Sequence, residues 1–182
     1  MALIVEDGTG LSTAESLVSV ARADTILSKR VGTSTWTAMS TPQKEAALAH
    51  ASRVLTRMDW NGSRVRDQQA LAFPRTWLRK RDPVTSTPYL PGDPAYYAED
   101  AVPDFAEEAT SILAMRMHTR DPFARPDTVG VSSLQAGPLA ISYDNETVDI
   151  DRDDPIDREV MDIIDFALRR SSNSIAVPAV RV

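Results

Sequence analysis

Residues 41–58 read TPQKEAALAHASRVLTRM. Thr41 can accept hydrogen bonds from orphan backbone amides, and Pro42 suits the first helical position, where no N–H is needed, so a helix is predicted to begin here. Ala47, Leu48, Ala51, Val54, Leu55 and Met58 recur at three- and four-residue spacing, which places them on one face. Asp59-Trp60-Asn61-Gly62 should end the helix, because Asn-Gly favours positive φ in a tight turn.

The same period appears three more times. Ser19 is expected to cap VARADTILSKR, with Val20, Ala23, Ile26 and Leu27 on one face and an αL residue at Gly32 closing the helix. A third helix is predicted from about Pro103-Asp104 through FAEEATSILAMRMHTR, acids in its first turn and Arg116 and Arg120 near its end, a polarity that suits the helix dipole. A last one is predicted from about Asp154-Pro155 through IDREVMDIIDFALRR, where Ile156, Val160, Ile163, Ile164, Ala167 and Leu168 share a face. Between the second and third helices, Pro74, Pro83, Pro88, Pro91, Pro94 and Pro103 restrict φ and remove donors, so a long irregular loop is expected there. Partial alternation in TVGVSSLQAGPLAISYD predicts a small hairpin at about 128–143. The expected fold is therefore mainly α: a four-helix bundle-like core with a small β-hairpin, a long Pro-rich loop and an extended C-terminal tail. A single helical domain is expected over 1–170, with residues 171–182 as the tail.

At 182 residues the chain has room for one domain with a real core. Its 42% apolar and 25% charged residues are those of an ordinary soluble globular protein. No stretch approaches the roughly 20 apolar residues of a membrane span. MALIVEDGTG carries neither a basic leader nor a long apolar core, so no signal peptide and a cytoplasmic residence are expected. The absence of cysteine excludes disulfides, thiolate metal sites and cysteine nucleophiles.

Motif chemistry is sparse. Asp149, Asp151 and Asp153 have the odd-position spacing of a calcium loop. The position that should be Gly is Asp154, and the twelfth, which should be Glu, is Val160. An acidic lead-in to a helix explains them better. His50 and His118 lack companion histidines at ligand spacing, Met115 and Met117 read as packing residues, and Gly8-Thr9-Gly10 lacks the third glycine and the following helix of a dinucleotide-binding turn. No catalytic, cofactor or metal residues are assigned, and an enzyme is not expected.

Charge is segregated within a net charge of −6. Arg53, Arg57, Arg64, Arg66, Arg75, Arg79, Lys80 and Arg81 face only Asp59 and Asp67 in their segment, whereas every charge from Asp82 to Glu108 is negative and acids dominate Asp144–Asp165. Such blocks can pair with copies of the same chain or present different potentials on different faces of an assembly. The arginines interspersed with Trp60, Phe73 and Trp77 also suit single-stranded nucleic acid, by phosphate pairing and base stacking. An ordinary loop packed on helices, its arginines solvated or paired, fits the same residues. So does a ring whose lumen passes duplex DNA without reading its sequence.

The opening MALIVEDGTGLSTAESLVSVARAD, Trp36 followed by STPQKEAALAHASRVL, the string DQQALAFPRTW at 67–77, and VGVSSLQAGPLAISYD resemble the head-tail connector (head-completion adaptor) family of tailed phages. Some of its members carry the label DnaT-like single-stranded-DNA-binding protein. The resemblance covers nearly the whole chain. It implies a mainly helical subunit that assembles as a homo-oligomeric ring of twelve copies beneath the portal protein, in the virion neck, after assembly in the host cytoplasm. Such a ring extends the DNA channel, with non-specific contact to packaged DNA, and gives the tail, a stopper or a tail-terminator protein a docking surface. No membrane partner is implied. The alternative is a replication accessory protein that coats single-stranded DNA.

On this reading Arg64, Arg66, Arg75, Arg79, Lys80 and Arg81 make channel or inter-subunit contacts, and Trp60, Leu71, Phe73, Pro74 and Trp77 anchor the loop. Ile175, Val177, Val180, Arg181 and Val182 form a tail that contacts the portal, an apolar extended segment suited to strand or groove insertion. Pro74 should hold Phe73 extended and aim Arg75 outward. Phe73→Ala is accordingly expected to harm folding or assembly, and Arg75→Ala to spare the fold.

Overall fold

In the computed structural model, which describes residues 3–83, 94–119, 133–136, 139–142 and 158–169, each of the four periodic segments forms a helix. The first, α1, is Val20–Leu27, capped by Ser19, whose hydroxyl accepts from the Arg22 amide at 3.2 Å. It stops short of the expected Gly32. Thr25 and Ser28 hydroxyls donate to the carbonyls of Ala21 and Thr25, and such local bonds compete with continuation of the helix. Gly32, at φ +76, lies beyond in the turn that leads to an unexpected short helix, α2 (Ser34–Ala38).

The next helix, α3, is Thr41–Thr56, with its N-cap at Ser40 rather than Thr41. Gln43 explains the shift, because its side-chain oxygen accepts from the Ser40 amide and hydroxyl, both at 2.8 Å, completing a reciprocal capping pair. Leu48, Ala51, Val54 and Leu55 are buried and Ala47 and Met58 partly so, which is the expected stripe. Beyond it, β1 (Ser63–Arg64) and β2 (Arg75–Thr76) form an antiparallel ribbon in register Ser63↔Thr76 and Arg64↔Arg75. The Pro-rich segment is thus not wholly irregular.

The central helix is α4, Asp104–Thr119. Phe105, Ala106 and every residue from Ala109 to Met115 are buried, because α1, α2, α3 and α5 (Arg158–Ile164) all pack against it. Small residues on several of its faces let those neighbours approach. Thr110 and Ser111 are accommodated because their hydroxyls donate to the carbonyls of Ala106 and Glu107. The hairpin lies inside its expected bounds: β3 (Ser133–Ala136) pairs antiparallel with β4 (Leu139–Ser142). The last helix gives way to a 3-10 turn, Asp165–Ala167, before its expected end, with Val160, Ile164 and Ala167 buried, and its expected start at 154–157 lies outside the described residues. After it the chain pairs with the turn following α3, the Asn61 amide donating to Ala167 O and the Arg169 amide to Asp59 O, both at 2.8 Å.

One cluster of buried side chains runs from Ala14 to Ala167. At its aromatic end Phe73 stands edge-on to Trp60 (centroids 4.8 Å apart) and to Phe105 (5.7 Å), and Phe105 meets Phe166 (5.0 Å) and Tyr97 (5.2 Å). Such edge-to-face pairs are favoured by the ring quadrupoles.

Candidate functional site

The six cations expected to make channel or inter-subunit contacts have three different fates. Arg75 is in the core, not on the surface. Its guanidinium donates to the carbonyls of Asn61 (2.8 Å), Ala72 (3.1 Å), Trp60 (3.3 Å) and Gly62 (2.9 Å), and the residue is 9% exposed. Burial and the nearby charges of Arg64 and Arg169 lower its pKa, against the opposing pull of Asp59. The expected outward Arg75 is therefore corrected. Its guanidinium finds its partners in the turn after α3 and in Ala72, and four carbonyls there draw it under the loop. A planar fork of donors can tie several carbonyls of one turn together, which a lysine cannot.

Lys80 lies half-buried with its ammonium 6.0 Å from the Tyr97 ring centre. Arg64, Arg66, Arg79 and Arg81 are exposed. Arg64 donates to Gln69 O at 3.3 Å and Arg81 to Asp162 O at 3.4 Å. Arg66 packs against Gly10, where an added Cβ would come within 3.3 Å of its stem. The backbone of Arg79 bridges to Tyr96. Arg64 and Arg66 thus leave β1 and the loop after it, and Arg79 and Arg81 leave the segment after β2.

Of the expected loop anchors, Trp60, Leu71, Phe73 and Pro74 are buried. Trp77 is not: it is 57% exposed, with φ +62. A left-handed conformation costs a non-glycine residue about 1–2 kcal/mol. It also breaks strand alternation, so that Leu78 next to it turns into the core at 1% exposure. Gly62 makes room for this, since a Cβ there would stand 2.2 Å from Thr76 O and 3.2 Å from the Trp77 carbonyl carbon.

Two polar residues that the sequence did not single out hold this region. Gln69, 3% exposed, donates to Leu71 O and Pro74 O and accepts from the Arg66 amide, clipping the loop shut. Glu6, 5% exposed, accepts from the amides of Gly8 (3.0 Å), Gly10 (2.8 Å) and Leu11 (2.9 Å). Successive amides of a glycine turn make an anion-binding concavity, and here the chain's own carboxylate fills it. The glycine spacing was legible; the acid that pairs with it was a signal passed over.

Other polar groups join helices. Burial pushes the Asp24 carboxyl up, but hydrogen bonds from Lys44 (2.8 Å) and Trp36 (2.6 Å) outweigh it and hold the group below the ordinary carboxylate value. A shallow groove lined by Arg22, Ile26, Lys29, Arg30, Asp104 and Glu108 is bridged by ion pairs, Arg22–Asp104 at 3.0 Å and Arg30–Glu108 at 3.1 Å. His50 and His118 are both exposed. Among the described residues no group of three or more His, Cys, Asp or Glu is placed to hold a metal, and no helix is long and apolar enough to cross a membrane. The aspartates at 149–154 and the tail residues Ile175, Val177, Val180, Arg181 and Val182 lie outside the described residues.

Fold and surface together define a mainly helical protein that carries a pinned ribbon, basic at its edges and bearing an exposed tryptophan. The family model described as "Putative DnaT-like ssDNA binding protein" matches residues 1–182, and the chain belongs to that family. No curated protein and no solved structure matches it.

Proposed function

We propose that this chain is a structural subunit of a phage neck, a head-to-tail adaptor that assembles as a ring between the portal protein and the tail or the next connector ring. The observation that carries the reading is the ribbon. A buried guanidinium bonded to four carbonyls is spent on stiffening a surface feature, whose exposed arginines and tryptophan have the composition of an assembly contact. The segregated charge of the chain supports the same reading, since subunits in a ring must present unlike surfaces to one another. Imaging the necks of particles, with mass spectrometry of purified virions, tests it. The chain should be present as a ring beneath the portal, and its absence from the neck would end the proposal.

A second reading, a protein that coats single-stranded DNA, is favoured by the description of the family. Burial of Arg75 removes one cation from that candidate surface and leaves Arg64, Arg66, Arg79 and Arg81 exposed. A titration with oligonucleotides at several salt concentrations separates the readings. A single-strand binder must prefer single over double strands and weaken steeply with salt.

A further inference from the structure

We propose that docking of residues 158–169 sets the stiffness of the β1–β2 ribbon, so that the two regions are ends of one coupled device. The proposal goes beyond the adaptor reading and holds equally for a protein that coats DNA. It rests on the turn at 59–62, which is held from both sides. From one side come residues 167–169. The Asn61 amide donates to Ala167 O (2.8 Å), the Asn61 side-chain amide to Leu168 O (3.0 Å) and the Arg169 amide to Asp59 O (2.8 Å), and Trp60 faces Leu168 as an antiparallel bridge. From the other side comes Arg75 of β2, which donates to the carbonyls of Trp60 (3.3 Å), Asn61 (2.8 Å) and Gly62 (2.9 Å).

The two sets of bonds meet on a single peptide group. The peptide that joins Trp60 to Asn61 accepts from Arg75 at its carbonyl and donates to Ala167 at its N–H. Hydrogen bonds in series polarise one another, so loss of either weakens the one that remains. Apolar contacts run the same way: the Phe166 ring lies 5.0 Å from Phe105, and Phe105 lies 5.7 Å from Phe73, two residues before Arg75. If the segment lifts, the turn loses its bonds to 167–169 and the carbonyls that Arg75 ties together are free to shift. Other ties bound the effect. Gln69 still clips the loop, and the Ala72 amide still donates to the Thr56 hydroxyl at 3.1 Å, so the ribbon loosens without melting. The coupling is reciprocal by thermodynamic necessity. A partner that prefers the stiff ribbon must tighten the docking of 158–169 by the same factor.

Hydrogen exchange of the full chain, followed by mass spectrometry, tests the coupling from both ends. The amides of α2 serve as the internal control, because that helix is joined to α1 through Trp36 and Asp24. Ile164→Ala, made in the buried face of α5, should speed exchange of the β1 and β2 amides at least about five-fold, the lower end of usual coupling energies, and leave α2 unchanged. Ile164→Val, a milder change that keeps the fold if the alanine variant does not, should act in the same direction by a smaller factor. From the other end, Arg75→Lys keeps the charge without the fork and should speed exchange over 158–169, again sparing α2. The Ile164→Val/Arg75→Lys pair should change exchange by less than the product of the single effects, as sites that share one joint do. Acceleration confined to the segment that carries the substitution overturns the proposal. So does equal acceleration in α2, which would mark a general loss of stability, and so does a parent whose ribbon amides already exchange as fast as those of the urea-unfolded chain.

Discussion

At the scale of single residues, Arg75 shows how a cation can be misread. In sequence it sits among eight basic residues and after a proline, and both facts point outward. In the structure four backbone carbonyls surround it. Arg75→Ala would leave those acceptors unpaired in a buried site, and a charged hydrogen bond is worth about 1.5–3 kcal/mol. Urea unfolding should therefore show a loss of at least about 2 kcal/mol, with Arg75→Lys recovering only part of it because an ammonium cannot reproduce the fork. An Arg75→Ala variant as stable as the parent would contradict the assignment. Phe73, at 0% exposure between Trp60 and Phe105, was legible as an anchor from its place in an apolar run. Phe73→Ala is expected to lower stability by about 3–5 kcal/mol in the same measurement. The outward turn of Trp77 was not legible, since a single left-handed residue leaves no mark on apolar periodicity.

Helices and their joints are the next scale. The lowered pKa of Asp24 is a joint between α1, α2 and α3, because Trp36 and Lys44 both donate to one of its oxygens. A carboxyl held below its unfolded value contributes stability that is complete above the ordinary carboxylate range and is lost as pH falls through the folded value. Thermal melts of the parent and Asp24→Asn should thus differ most near neutrality and converge in acid below the ordinary carboxylate value. A difference that grows on acidification would reverse the sign. For α5, magnitudes decide which contacts matter. Glu159 meets Arg30 and Arg116, but partly exposed ion pairs of this kind are worth about 0–1 kcal/mol. Ile164 is fully buried, and its truncation to alanine costs about 2–5 kcal/mol. Ile164→Ala should therefore release the segment over 158–169 to proteolysis well before Glu159→Gln does.

For the whole molecule, the arrangement around α4 sets the order of stability. Helices on several sides bury Phe105, Ala106 and the stretch from Ala109 to Met115, so the α4 amides should exchange with solvent only by global unfolding, while those of α2 and of the β1–β2 ribbon exchange by local opening. Hydrogen exchange followed by mass spectrometry checks this ranking, and α4 amides that exchange as fast as those of α2 would contradict the central place given to the helix.

What the sequence determined by itself was the set of long helices, the hairpin and the apolar faces. Each follows from local periodicity and from caps such as Ser19, and local signals survive without knowledge of neighbours. It also held the anchoring of Trp60, Leu71 and Phe73. Tertiary structure alone decided the boundaries of α1 and α3, the two-strand ribbon, the burial of Arg75, the exposure of Trp77 and the closure of the glycine turn around Glu6. These share one physical cause. Each depends on where a polar group or a carbonyl finds its partner across the chain, as Arg75 does with residues 60–62 and Asn61 with Leu168, and such pairings carry no period for a sequence to display.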